Sequence, residues 1–175
     1  MLNYLLDTNI VIYVIKQRPP EVLAVFNRHH GRMAISSITL AELIHGAEKS
    51  SDVACNIAVV EDFVSRLTVL PYDDKAAWQY GNIRAVLEKM GQAIGLNDLH
   101  IAAHARSNGL TLVTNNLREF ERVPGLLVEN WVDALGAVIG VATHRLPGDP
   151  SPLTEICTAV PIWLSQYTSS QSSKN

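Results

Sequence analysis

The sequence predicts one α/β domain of three layers, α/β/α, around a central, mostly parallel sheet of four or five strands. Three observations carry this. Short apolar runs alternate with longer segments whose apolar residues recur at helical spacing, the pattern of parallel strands joined by helices. The runs are continuously apolar, as suits strands covered on both faces. A chain of 175 residues with 47% hydrophobic composition is long enough to bury one core of common domain size.

The elements follow in order. Tyr4 to Leu6 reads as a short buried strand, ended by the turn formers of "DTN". Ile10 to Ile15 reads as helix, closed by "RPP". Arg32 to Ser36 is a second strand. Ser37 or Thr39 is placed to cap the next helix, whose apolar stripe is Leu40, Leu43, Ile44 and Ala47. Asn56 to Ser65 gives another helix and "LTVLPYD" a third strand. A long helix runs from about Lys75 to Lys89 and stops near Gly91. In "GLNDLHIAAHARSNGLTLVTNN", Asn97 is read as the cap of a helix that Gly109 ends, and Leu110 to Thr114 is the fourth strand. "GLLVENW" holds the last. After Trp131 the composition changes: the remainder carries four of the eight prolines and ends in a Ser/Gln-rich run. This predicts a boundary there, with a domain over residues 1–131 and an extension over 132–175 whose end is disordered.

Composition excludes some functions. The net charge of −3 sets up no global positive field toward nucleic acid, so any such partner must be held by local cations or a bound metal. The two cysteines have no metal-ligand spacing and predict reduced thiols. No run approaches the roughly 18 apolar residues of a membrane span, and Asp7 interrupts what a secretory leader would need as its apolar core. A cytoplasmic protein without membrane association is expected. The chain has no GxGxxG, no GxxxxGK[ST], no GxSxG and no HExxH. His100 and His104 share a helix face but lack a third ligand.

What remains is a set of carboxylates. In a parallel α/β sheet, function collects at the carboxyl ends of the strands. Asp7 lies at the end of the first strand and "TNN", Thr114 to Asn116, at the end of the fourth. Asp98 stands in the first turn of its helix, where a negative charge is favoured. Glu42 points away from its helix's apolar stripe, and Ala41, His45 and Gly46 beside it leave room for something to approach. Carboxylates that converge repel one another unless a cation sits between them. Hard oxygen ligands suit Mg²⁺ or Mn²⁺, which can activate a water and stabilise charge on a phosphodiester. Two alternatives stand beside this. Asp7 could be the nucleophile of an aspartyl phosphatase, although Asn9 fills the position where a second aspartate is usual. The chain could also be a catalytically silent binding module.

The stretches "LLDTNIVIYVIK", "ISSITLAELIHGAEKS", "LNDLHIAAHARSNGL" and "LVTNNLREFERVPGLLVENW" together resemble the VapC-type toxins, PIN-domain ribonucleases of bacterial type II toxin–antitoxin systems. The resemblance covers residues 1 to 131 in order and spacing. It implies a PIN-like fold and a Mg²⁺ site, with Mn²⁺ as a substitute, in which Asp7, Glu42 and Asp98 match the family's acids. Where many relatives have a fourth acid this chain has Asn116, and Glu119 is the nearest candidate for that role. Thr8, Asn9, Thr114 and Asn116 are implied as contacts to Asp7, the acidic site or substrate. Arg118 and Arg122 lie beside the site in this reading, and either grip RNA or pair with Glu119 and Glu121 on a short helix. The implied reaction is hydrolysis of an RNA phosphodiester, in the anticodon loop of initiator tRNA, to a 5′-phosphate and a 3′-hydroxyl. The implied partners are a VapB antitoxin, RNA, and a second copy of the chain in a homodimer that joins a larger assembly with antitoxin. Ile10, Val11, Val14 and Ile15 are either the apolar contact of that dimer or ordinary core.

Overall fold

The computed structural model describes residues 1–17 and 20–132. The extension and the Arg18–Pro19 part of the "RPP" stop lie outside the described residues. Five strands form one parallel sheet in the order β3-β2-β1-β4-β5: β1 (Tyr4–Leu6), β2 (Met33–Ser36), β3 (Thr68–Leu70), β4 (Thr111–Val113) and β5 (Val128–Glu129). All four pairings are parallel. The helices are α1 (Thr8–Lys16), α2 (Pro20–Arg28), α3 (Ser37–Glu48), α4 (Val53–Val64), α5 (Asp74–Lys89), α6 (Leu96–Ser107) and α7 (Leu117–Phe120).

Side chains alternate across each strand, and the two faces carry separate cores. Leu6, Met33, Ile35 and Val113 join one cluster with residues of α1 to α4, including Ile10, Val14, Leu43 and Phe63. Leu5, Ala34 and Leu112 join the other with Ile83, Leu87, Ile101 and Phe120 from α5 to α7. This is the predicted three-layer sandwich. Trp131 closes the first cluster, stacked on His29 at 5.1 Å between ring centroids. Among the described residues no helix is long and apolar enough to cross a membrane.

The differences from expectation have local causes. The "RPP" signal marks a junction, and α2 begins at Pro20, since proline suits the first helical position. Neither Ser37 nor Thr39 caps α3: Ser36 does, its Oγ accepting from the Ile38 N–H at 3.1 Å. Thr39, Leu43 and Ala47 are the buried face of α3, and Ile44 is exposed. The helix read from Asn56 starts at Val53, capped by Asp52, with Asn56 buried inside it. Ile10, Val11, Val14 and Ile15 are buried in the first core and offer no face to a second copy; of their two expected roles, core is the one they fill. Of the two cysteines expected as reduced thiols, Cys55 lies in α4 and Cys157 lies outside the described residues.

Ser36 ties both halves of the fold together. It is fully buried, it caps α3, and its Oγ also meets His104 Nδ1 of α6 at 2.9 Å. Ser36→Ala removes a cap worth about 1 kcal/mol and leaves a buried imidazole nitrogen unpaired, at about 1–3 kcal/mol. A urea titration is expected to show a loss of about 2–4 kcal/mol, and a loss below about 0.5 kcal/mol would remove this linking role.

Candidate active site

The sheet order sets the site. The chain moves outward from β1 to β2 and β3, then returns to the other side of β1 for β4. Ligand sites in open α/β sheets lie outside the carboxyl ends of the strands at such a switch point. Leu6 and Val113 are register partners, so the residues that follow them, Asp7 and Thr114, emerge side by side. The Asp7 N–H donates to the Val113 carbonyl at 3.0 Å, which fixes the turn out of β1.

Asp7 is the N-cap of α1, with extended backbone, and only 3% of it is exposed. Its Oδ1 accepts from the Thr8 N–H at 2.8 Å and its Oδ2 from Thr114 Oγ1 at 2.8 Å. Thr114 Oγ1 in turn accepts from the Asn116 N–H at 3.0 Å. Thr8 Oγ1 donates to Glu42 Oε2, and Asn97 Nδ2 donates to Glu42 Oε1 at 2.8 Å. Glu42, on α3, is therefore held from α1 and α6 at once. Asp98 lies in the first turn of α6, and Asn116 Nδ2 approaches its Oδ2 at 3.4 Å.

The electrostatics join these acids. Burial raises the Asp7 carboxyl from 3.8, the charges of Asp98 and Glu42 add to this, and the bonds from Thr114 and Thr8 oppose it; the result is about 7. Asp98 is raised to about 6 by burial and by the charges of Glu42 and Glu119. Asp7, Thr8, Asn9, Glu42, Asn97 and Asp98 line one end of a cleft of about 770 Å³. Ile12, Ile38 and Ala41 line its walls, and His45 and Lys49 lie further along α3. The small face beside Glu42 is thus open, as its sequence suggested.

Other candidate residues sit around this cleft. Thr114 is buried beneath Asp7. Asn116 stands at the N-cap position of the short α7 without a side-chain capping bond. Glu119 stands 4.0 Å from Arg122, whose guanidinium also donates to the Ala93 carbonyl at 3.4 Å. Arg118 is exposed on α7 and is not a lining residue of the cleft. His100 and His104 do not act together: the first meets Tyr72 Oη at 3.0 Å and the second Ser36 Oγ. Asn97 corrects the sequence reading. It is inside α6, whose N-cap is Gly95, and its amide orients Glu42 across 55 positions of sequence. Its place next to Asp98 was the only available signal.

The donor set suits a hard divalent cation. The ionised forms of Asp7 and Asp98 are disfavoured by burial and by neighbouring negative charge, and a cation relieves both. Among the described residues, no three His, Cys, Asp or Glu side chains are grouped closely enough to hold an ion by themselves.

Comparison with known proteins agrees with this geometry. The PIN domain family model matches residues 4–126. The chain is 65% identical over 132 residues to Ribonuclease VapC2 of Haemophilus influenzae, covering 75% of this chain and 100% of that protein. It is 56% identical over 131 residues to the tRNA(fMet)-specific endonuclease VapC of Shigella flexneri, covering 75% and 99%. The DNA-bound VapBC crystal structure from Salmonella typhimurium superposes with a TM-score of 0.73 at 55% identity, over 75% of this chain and 99% of that one. Matched across the whole length of such relatives, with the acids gathered at the switch point, the chain belongs to the PIN-domain family, among the VapC ribonucleases.

Proposed function

We propose that this chain is a metal-dependent endoribonuclease toxin, acting in the cytoplasm on the anticodon loop of initiator tRNA, with Mg²⁺ as its ion and Mn²⁺ as a substitute. The observation that carries this is the meeting of Asp7, Glu42 and Asp98 at one end of an open cleft. The substrate follows the Shigella flexneri relative, which bears that specificity in its name. A VapB-type antitoxin as partner follows the VapBC complexes among the similar structures. Self-association is part of the proposal, through a face other than the buried α1 residues.

Asp7 and Asp98 would hold the ion, with Glu42 beside them; Glu119 reaches this group through its charge on Asp98. When bound, a divalent cation lowers the pKa of a coordinated water and offsets charge growing on the phosphate. The chain's own residues do the rest. Thr8 and Asn97 each occupy one oxygen of Glu42 and so fix its plane, which lets it orient a water and take its proton. Thr114 and the Thr8 N–H hold both oxygens of Asp7. In the reaction the water oxygen bonds to phosphorus and the P–O3′ bond breaks. The proton ends on the 3′ oxygen of the upstream fragment, and the downstream fragment keeps the phosphate on its 5′ oxygen. Asn116 is placed to steady Asp98 through its amide, a role that needs no charge.

The test is cleavage of a tRNA pool by antitoxin-free protein in Mg²⁺, with cut sites read by sequencing. A cut in the initiator tRNA anticodon loop is expected, lost in EDTA and reduced at least about a hundredfold in Asp98→Asn. A folded wild type that cuts no RNA overturns the proposal in favour of a silent binding module. Phosphate release from a small ester without RNA cleavage points instead to the phosphatase reading.

A further inference from the structure

We propose that the end of the cleft remote from the acids, at His45 and Lys49, is a subsite for the phosphate backbone of the single-stranded RNA leading away from the cut. This rests on the nuclease reading and adds a second contact to it. Glu42, His45 and Lys49 follow one another at i, i+3 and i+7, so His45 on α3 and Lys49 at its C-cap continue the face that carries Glu42, and all three line the cleft. At about 1.5 Å of rise per residue, Lys49 lies about 10 Å along the helix from Glu42. An unstacked strand covers this distance in fewer than the roughly three nucleotides that a stacked rise of about 3.4 Å would need.

The charges fit such a strand. One end of the cleft is acidic and takes a phosphate only with a cation present. The other end is supplied by an exposed lysine and an exposed histidine. Among the described residues, the three ion pairs involve other side chains, and the Lys49 and His45 side chains have no hydrogen-bond partner, so neither is committed elsewhere. Ile12, Ile38 and Ala41 also line the cleft, an apolar surface against which unstacked bases can lie. A purely structural role for Lys49 is also available, because a cation at the C-terminus of α3 complements the helix dipole. Such a role affects stability and leaves RNA affinity and its salt dependence alone.

The experiment measures binding of a short, labelled single-stranded oligoribonucleotide in Mg²⁺ by fluorescence anisotropy, in the Asp98→Asn background so that the RNA stays intact. Adding Lys49→Ala is expected to weaken binding about three- to tenfold and to reduce the log–log salt slope by about 0.7. Lys49→Arg is expected to retain both. Lys89→Ala, which removes an exposed α5 cation outside the cleft, is expected to change neither. Unchanged affinity and slope in Lys49→Ala overturn the subsite, and RNA cleavage by the wild type then leaves the nuclease reading standing. Lys49-dependent binding with no cleavage by the wild type does the reverse. Absence of RNA binding, or equal competition by a poly-aspartate peptide, also overturns the RNA subsite.

Discussion

Asp7→Asn is expected to stop RNA cleavage and, in the same protein, to make the metal-free fold more stable at pH 8. The first effect follows from losing a carboxylate that would hold the ion. Metal-ion catalysis is worth several kcal/mol and each 1.4 kcal/mol is tenfold, so cleavage should fall by about 10²–10³-fold. The second follows from burial. At pH 8 the Asp7 carboxylate is charged, 3% exposed, and faces Asp98 and Glu42. A rise from 3.8 to about 7, at about 1.4 kcal/mol per pH unit, is a penalty of a few kcal/mol on the ionised form. Asparagine has the same shape without the charge. Its Oδ1 can accept from the Thr8 N–H, and its amide can donate to Thr114 Oγ1. Urea titrations in EDTA should therefore show the variant ahead of the wild type at pH 8, with the gap less than half as large at pH 5 and closed only below about pH 4. A variant less stable than the wild type at pH 8 would mean that the bonds from Thr8 and Thr114 need the charge and outweigh its burial.

Much of this site was legible in the sequence because each acid follows a strong local signal. Asp7 ends a three-residue apolar run, and a strand that short in a parallel sheet delivers its next residue to the rim. Glu42 is out of phase with the buried residues of α3. Asp98 opens α6. The sequence also placed Thr114 at the end of β4, but the pairing of β1 with β4 that sets it under Asp7 is a property of the topology. Asn97 shows the limit most clearly. Its type and position fit a helix cap, and only the approach of α3 to α6 turns its amide toward Glu42. The same reason lies behind Ser36. The sequence offered Ser37 and Thr39 as caps of α3 and put Ser36 at the end of the strand, and the residue that does cap it also contacts His104 on another element. The α2 helix was missed because "RPP" reads equally as the end of one helix and the start of the next.

In EDTA the wild-type chain is expected to lose stability as the pH is raised from 5 to 8, and Mg²⁺ is expected to restore it. The sign comes from Asp7. Below 3.8 the carboxyl is protonated in both the folded and unfolded states, and nothing is lost. Between about 4 and about 7 the unfolded chain releases the proton while the fold retains it, so stability falls with rising pH. Above about 7 both states are ionised and the loss is complete, a few kcal/mol in all. Asp98, raised to about 6, acts in the same sense over a lower window. His100 and His104 act in the opposite sense: burial lowers both from 6.5, so they withdraw stability as the pH falls and set the acid side of the curve. Asp7→Asn should therefore flatten the alkaline side alone. The ion enters as a competitor of the proton, because it needs the ionised carboxylates. At a hundredfold excess over its dissociation constant it adds about 2.7 kcal/mol, and this gain should be larger at pH 8 than at pH 5.5. Urea midpoints with and without Mg²⁺ at those two pH values decide the matter. An equal gain at both would mean that the ion binds groups already ionised at pH 5.5, and Asp7 would then have no place among its ligands.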